Sequence, residues 1–127
     1  GNATDFGDVD AGQSRNTQSN SNITRGVASV EHVGSSNASG LEYITIATTA
    51  NASNFGSLST GTYNQDSRRT VAGGAVVDRG LWYMGGPSSG FVNTIEYVTM
   101  STTGDSTDFC DTLYGGRQAQ GCSGPAS

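Results

Sequence analysis

Four aspartates, two cysteines and one histidine are the side chains with the most chemistry to offer, and their spacing decides what they can do. Asp5 and Asp8 recur as Asp108 and Asp111, in the phrases Gly1-Asn-Ala-Thr-Asp-Phe-Gly-Asp8 and Gly104-Asp-Ser-Thr-Asp-Phe-Cys-Asp111. Clustered carboxylate oxygens suit a calcium ion. In a middle copy of the phrase the same places hold Asn54 and Ser57. Asp, Asn and Ser share the ability to bond their own backbone in turns, so turn formation is the favoured role and calcium the weaker one. His32 is the only histidine, and a metal or catalytic centre needs several converging groups. A solvated loop residue is expected there.

Cys110 and Cys122 lie twelve residues apart. A disulfide closing so short a loop would stabilise the chain by about 3 kcal/mol. The alternative is two free thiols packed as small apolar residues, and spacing alone does not supply the geometry a bridge requires. Asn2, Asn22, Asn37 and Asn51 each open an Asn-X-Ser/Thr sequence, which is a glycan acceptor in a secreted eukaryotic protein and a chance product in a chain this rich in Asn, Ser and Thr. Trp82, Tyr83 and Phe91, with Asn37 and Asn93, are candidates for a contact surface, because aromatic side chains bury much area at small entropic cost. Trp82 and Tyr83 are neighbours, so on a strand they point to opposite faces and at least one is expected to pack inside. No nucleophile–base pair, phosphate loop or metal cluster emerges, and no cofactor is implied. The chain reads as non-enzymatic.

The elements that would position these residues are strands. The chain has 127 residues, one domain's worth or less. Leu, Ile, Val and Phe together make only 21 of them, yet the net charge of −5 is too small for charge-driven disorder. Gly, Ser, Thr, Ala and Asn fill the difference, and Gly and Thr are poor helix formers. Thin, turn-rich β structure is therefore expected. All six basic residues are arginines scattered among an acidic excess, which argues against a nucleic-acid partner. No apolar run approaches the roughly 20 residues that cross a bilayer as a helix, so no membrane insertion is expected.

Two copies of one pattern run through the chain. Arg25 set against Arg79 aligns Gly26 with Gly80, Leu41 with Ile95, Glu42 with Glu96, Tyr43 with Tyr97 and Phe55 with Phe109, at a constant offset of 54 residues. A period near 50 without helical periodicity predicts a small sheet per repeat. The second copy reads as strands at 70–77, 81–84, 95–100 and 109–113, with Gly85 and Gly86 breaking the second. The first copy follows the same order, with its second strand at 27–30. The third strand is apolar on both faces, as in a sheet with neighbours on either side. The chain divides into the end of a preceding repeat (1–10), a first unit (11–60), a second unit (61–116) and the start of a further repeat (117–127). Arg25 and Arg79, like Glu42 and Glu96, fall at equivalent places, and a structural Arg–Glu pair across each sheet is expected. An arginine ring for a ligand is the lesser alternative.

An apolar strand ending in Gly85-Gly86, a later strand with Tyr97 and then an aromatic at Phe109 resembles the kelch blade. The phrases Thr24-Arg-Gly-Val27, Leu41-Glu-Tyr-Ile-Thr-Ile-Ala-Thr-Thr49, Gly1-Asn-Ala-Thr-Asp-Phe-Gly-Asp8 and Gly121-Cys-Ser123 resemble a kelch-like repeat family of structural and tail-fibre proteins of marine and cyanobacterial phages. The resemblance implies an all-β fold of kelch-like propeller blades, about two four-stranded repeats with partial blades at both ends. Propellers need several blades to close, so a single chain of two is incomplete, and copies of itself or other virion proteins are the expected partners. By the same resemblance the chain belongs to the virion, as part of a tail fibre or similar appendage. Its loops at 34–40 and 87–93 would meet a host surface glycan or protein, or another virion protein. A capsid or filament decoration protein and a secreted lectin-like domain are the alternatives.

Overall fold

In the computed structural model the described residues are 2–9, 18–30, 40–58, 71–76, 78–85 and 92–115. They form eight strands: β1 (Ser19–Ser21), β2 (Arg25–Val30), β3 (Gly40–Thr45), β4 (Ser53–Ser57), β5 (Val71–Val76), β6 (Arg79–Gly85), β7 (Val92–Thr99) and β8 (Thr107–Asp111). No helix occurs among the described residues. The strands make two four-stranded antiparallel sheets, β1-β2-β3-β4 and β5-β6-β7-β8, each in simple sequence order. The fold is all-β.

The offset of 54 residues carries through to the ladders. Arg25 faces Thr45 and Val27 faces Tyr43, as Arg79 faces Thr99 and Leu81 faces Tyr97. Leu41 faces Gly56 and Glu42 faces Asn54, with an irregularity between them that recurs where Ile95 faces Cys110 and Glu96 faces Asp108. That irregularity leaves Phe55 and Phe109 as the unpaired extra residues of their strands, which re-aims a side chain as β-bulges do. The chain leaves β3 and β7 by the same turn, with Thr48 N–H donating to Thr45 O and Thr102 N–H to Thr99 O at 3.1 Å each. Local sequence explains the sameness: Thr-X-X-Thr turns follow β-branched strands in both units.

The strand ends differ from the expected ranges. β6 (Arg79–Gly85) starts before 81 and runs through Gly85, β7 starts at Val92 and ends at Thr99, and β8 (Thr107–Asp111) lies two residues earlier than 109–113, because polar residues and glycine complete ladder bonds when a neighbour is present.

Alternation puts Arg25, Val27, Leu41 and Tyr43 on one face of the first sheet, and Gly80, Trp82, Glu96 and Val98 on one face of the second. These faces meet. One buried cluster of Val27, Leu41, Phe55 and Leu58 from the first sheet with Trp82, Val98 and Met100 from the second forms the core. Two different faces of the repeat are therefore in contact, and the arrangement is directional, front of one sheet to back of the next. At the β1 edge of this contact, Asn20 donates from Nδ2 to Leu81 O at 3.0 Å. Gly80 keeps this approach open: a Cβ there would stand 2.9 Å from the Trp82 ring and 3.2 Å from Asn20.

Trp82 is the largest side chain in the core, only 2% exposed. Trp82→Ala is expected to lower the unfolding free energy by about 3–5 kcal/mol, measured by denaturant titration, with the loss shared by both sheets in one transition.

Candidate functional site

The repeated polar–aromatic group is an arginine laid over a tyrosine that in turn meets a phenylalanine edge-on. In the first sheet the Arg25 guanidinium carbon sits 4.6 Å from the centre of the Tyr43 ring, and Tyr43 and Phe55 pack at 79° with centroids 6.0 Å apart. In the second, Arg79 lies 4.5 Å from Tyr97 and 5.9 Å from Phe109, with Tyr97 and Phe109 at 82° and 6.0 Å. The register makes this possible, since Arg25 is opposite Thr45 and therefore diagonal to Tyr43 on the same face. A ring face attracts a cation, and an edge-to-face pair suits the ring quadrupoles.

The two groups differ in what covers them. Arg25 also donates from Nη1 to Met100 O of the second sheet at 3.1 Å, so one guanidinium ties ring, strand and neighbour together. Among the described residues no carbonyl takes the equivalent place beside Arg79. Its side chain is exposed, and Phe109 is 49% exposed where Phe55 is 2%.

The expected Arg–Glu pairs are overturned by this register. Glu42 faces Ala28 and Glu96 faces Trp82, which places both carboxylates on the sheet face opposite their arginines. Both are buried, and Ser106 Oγ donates to Glu96 Oε2 at 2.7 Å. The sequence showed that both residue types recur but not the side of the strand each would occupy.

A second polar centre lies at the seam. Asp78, just before β6, accepts from Asn22 Nδ2 at 3.0 Å and from Ser101 N–H at 2.8 Å, and its other oxygen takes the Ser101 hydroxyl. Asn22 is held for this by its own turn, its Oδ1 accepting from Thr24 N–H at 2.9 Å and Arg25 N–H at 2.8 Å. The Ser101 hydroxyl holds the Asp78 carboxyl below the usual aspartate range; desolvation, next in size, opposes it, and the Asn22 amide, the Ser101 N–H and the charge of Arg25 add to the lowering. Neither Asn22 nor Asp78 stood out in the sequence as a linking pair. The signal was Asn22 three residues before a strand arginine, an Asx-turn pattern.

The remaining candidates fall as follows. Asp5 Oδ1 accepts from Gly7 N–H at 3.2 Å, the local turn bond. Asp108 and Asp111 are exposed on β8, and among the described residues no group of three or more His, Cys, Asp or Glu side chains is placed to hold a metal ion. Asp8 N–H donates to Asn51 Oδ1 at 3.1 Å. Trp82, a candidate for surface contact, is instead buried in the core, because Gly80 and Val98 leave room for its ring between the sheets. Its Nε1 has no partner among the described residues. Asn93 clasps the chain after β8: its Nδ2 donates to Thr112 O at 3.2 Å, and its carbonyl accepts from Thr112 N–H at 2.7 Å. Cys110 is a free, exposed thiol on β8 rather than a buried filler. Gly85 closes β6. Phe91, Asn37, Gly86, His32, Cys122, the side chain of Tyr83 and most of the loops at 34–40 and 87–93 lie outside the described residues.

No family model, curated protein or solved structure matches this chain.

Two outcomes are expected. Arg25→Met should destabilise the fold by about 1–3 kcal/mol through loss of the ring contact and the charged hydrogen bond, whereas Arg79→Met should cost the isolated chain only the exposed ring contact, about 0.5–1 kcal/mol. Asp78 has a depressed carboxyl, so its contribution is full above the unfolded value of about 3.9 and is lost as pH falls through the folded value. Thermal unfolding followed from neutral to strongly acidic pH should show this loss, and Asp78→Asn should remove that part of the acid dependence.

Proposed function

We propose that the two sheets are successive blades of a kelch-like propeller, and that the chain serves as a non-enzymatic structural or adhesive module of a phage particle, most simply in a tail fibre or similar appendage. The observation that carries the scaffold reading is the directional contact: the Arg25–Tyr43 face of one repeat packs on the Gly80–Trp82 face of the next, which is how blades follow one another around an axis. Strands β1 and β6 approach at one end through Asn20 and Leu81, in keeping with inner strands near such an axis.

The phage assignment rests on the resemblance of the repeat phrases. A rigid stack of small sheets presents its connecting loops to partners, and contact residues usually lie on such loops. In this reading the Arg–Tyr–Phe group is a fastening between blades and not a ligand site.

The test is binding. Fluorescently labelled protein is offered to a panel of marine cyanobacterial cells and to their purified surface polysaccharides, beside a control of the same chain unfolded. Saturable binding to some strains is expected. Absence of binding to every strain, together with failure of antibodies against the chain to label any phage particle, would sink the virion reading.

A further inference from the structure

Each sheet has two unlike faces, and the contact between the sheets uses one of each. The face of the second sheet with Arg79, Leu81, Ile95 and Tyr97 repeats, position by position, the first-sheet face with Arg25, Val27, Leu41 and Tyr43 that is covered. On the back of the first sheet, Ile46 is the counterpart of Met100. Ile46 is 45% exposed and Met100 fully buried. Val30 and Glu42 on that back face are buried in the single chain, whereas Gly26, Ala28 and Ile44 are half-buried and Ile46 is exposed, so these four are the ground left for contact. A further copy of the first sheet, laid on the second as the second lies on the first, would bring the carbonyl of Ile46 to Arg79 as Met100 O is brought to Arg25.

This docking has a steric condition. Residues 2–8 lie beside the first sheet in the place that β4 holds beside the second. Ala52 N–H donates to Asp8 O at 2.8 Å as Ser106 N–H does to Ser57 O at 2.9 Å, and Asp8 N–H donates to Asn51 Oδ1 as Ser57 N–H does to Asp105 Oδ1. Residues 2–8 thus run beside the first sheet as β4 runs beside the second, and Phe6 takes the position of Phe55 and Phe109 in the repeated phrase. In a head-to-tail pair, residues 2–8 of the incoming copy and β8 of the receiving copy would fall in one place.

The residue at the crossing point decides between them. Gly7 and Gly56 have φ of 149° and 153°, and a Cβ on either would run into the carbonyl oxygen of the adjoining turn, Ala50 or Gly104. The equivalent residue in β8 is Cys110, which carries a Cβ. β8 is exposed along its whole length and bonded in the sheet only to β7. In a head-to-tail pair it is therefore the strand that would give way.

We propose that this chain associates head to tail with a second copy. The first sheet of the incoming copy covers the Arg79–Tyr97 face, and its residues 2–8 replace β8 at the edge of β7, so that Phe6 meets Tyr97. The proposal rests on reading the sheets as successive blades and is independent of host attachment.

The whole chain is examined by light scattering over a range of concentrations, with circular dichroism to show that each variant is folded. Reversible association is expected, and Arg79→Ala should weaken it by about tenfold while the monomer stays folded by circular dichroism. For the strand exchange, Asp8→Cys and Thr94→Cys are made separately, each with Cys110→Ser and Cys122→Ser, then mixed and oxidised. Thr94 faces Asp111, the counterpart of Asp8, so a mixed disulfide dimer is expected on non-reducing gels. A chain that stays monomeric throughout, or whose association ignores Arg79→Ala, overturns the proposal, and association without the mixed disulfide overturns the exchange. A monomer that nonetheless binds cells defeats this inference alone, while an assembly that binds no cells counts only against host attachment.

Discussion

A sheet of four short strands with apolar side chains on both faces cannot be stable in water by itself, and that constraint governs this molecule. Across the two sheets the strands have only three to eight residues, too little to bury a core within one layer. The remedy is contact between unlike faces. Val27, Leu41 and Phe55 supply one side of the core and Trp82, Val98 and Met100 the other, and Arg25 fixes their alignment by lying on a ring of its own sheet while reaching the main chain of the other. Hydrophobic burial supplies most of the attraction. The polar contacts supply the register, since apolar side chains alone would tolerate a slide.

The seam is polar at both ends for the same reason. Asn20 engages Leu81 O at one end, and Asn22, Asp78 and Ser101 form a linked set near the turn into β2. These groups have most of their bonding capacity met by one another, which a half-covered polar group at an interface requires. Asn22 shapes the turn through Oδ1 and reaches the neighbour through Nδ2, so the local fold of one sheet and its attachment to the next share a residue.

Much of the architecture was legible in the sequence because the offset of 54 residues preserves types that matter to a ladder: Gly26 and Gly80, Tyr43 and Tyr97, Phe55 and Phe109. Strand order, and the antiparallel pairing of β6 with β7, followed from that. Side was harder to read. Arg25 and Glu42 both recur, but which face each takes depends on the β2–β3 register, and residue types alone do not announce the 25-to-45 pairing. Trp82 misled in a related way. An aromatic beside another aromatic on a strand has one of two faces to occupy, and only the small Gly80 beneath it marks the covered side. The seam around Asp78 was invisible because Asn, Ser and Asp are everywhere in this chain, and their convergence needs three segments brought together.

Several of the bonds that join the layers end on peptide oxygens: Arg25 on Met100, Asn20 on Leu81, and the N–H groups of Gly104 and Ser106 on Phe55 and Ser57. A peptide oxygen belongs to every amino acid alike. Mutation on the accepting side therefore leaves the fastening intact so long as the strand stays put. Units joined in this manner can exchange most of their lettering over evolutionary time while the stack persists, and its lineage would be traced better by backbone spacing than by residue identity.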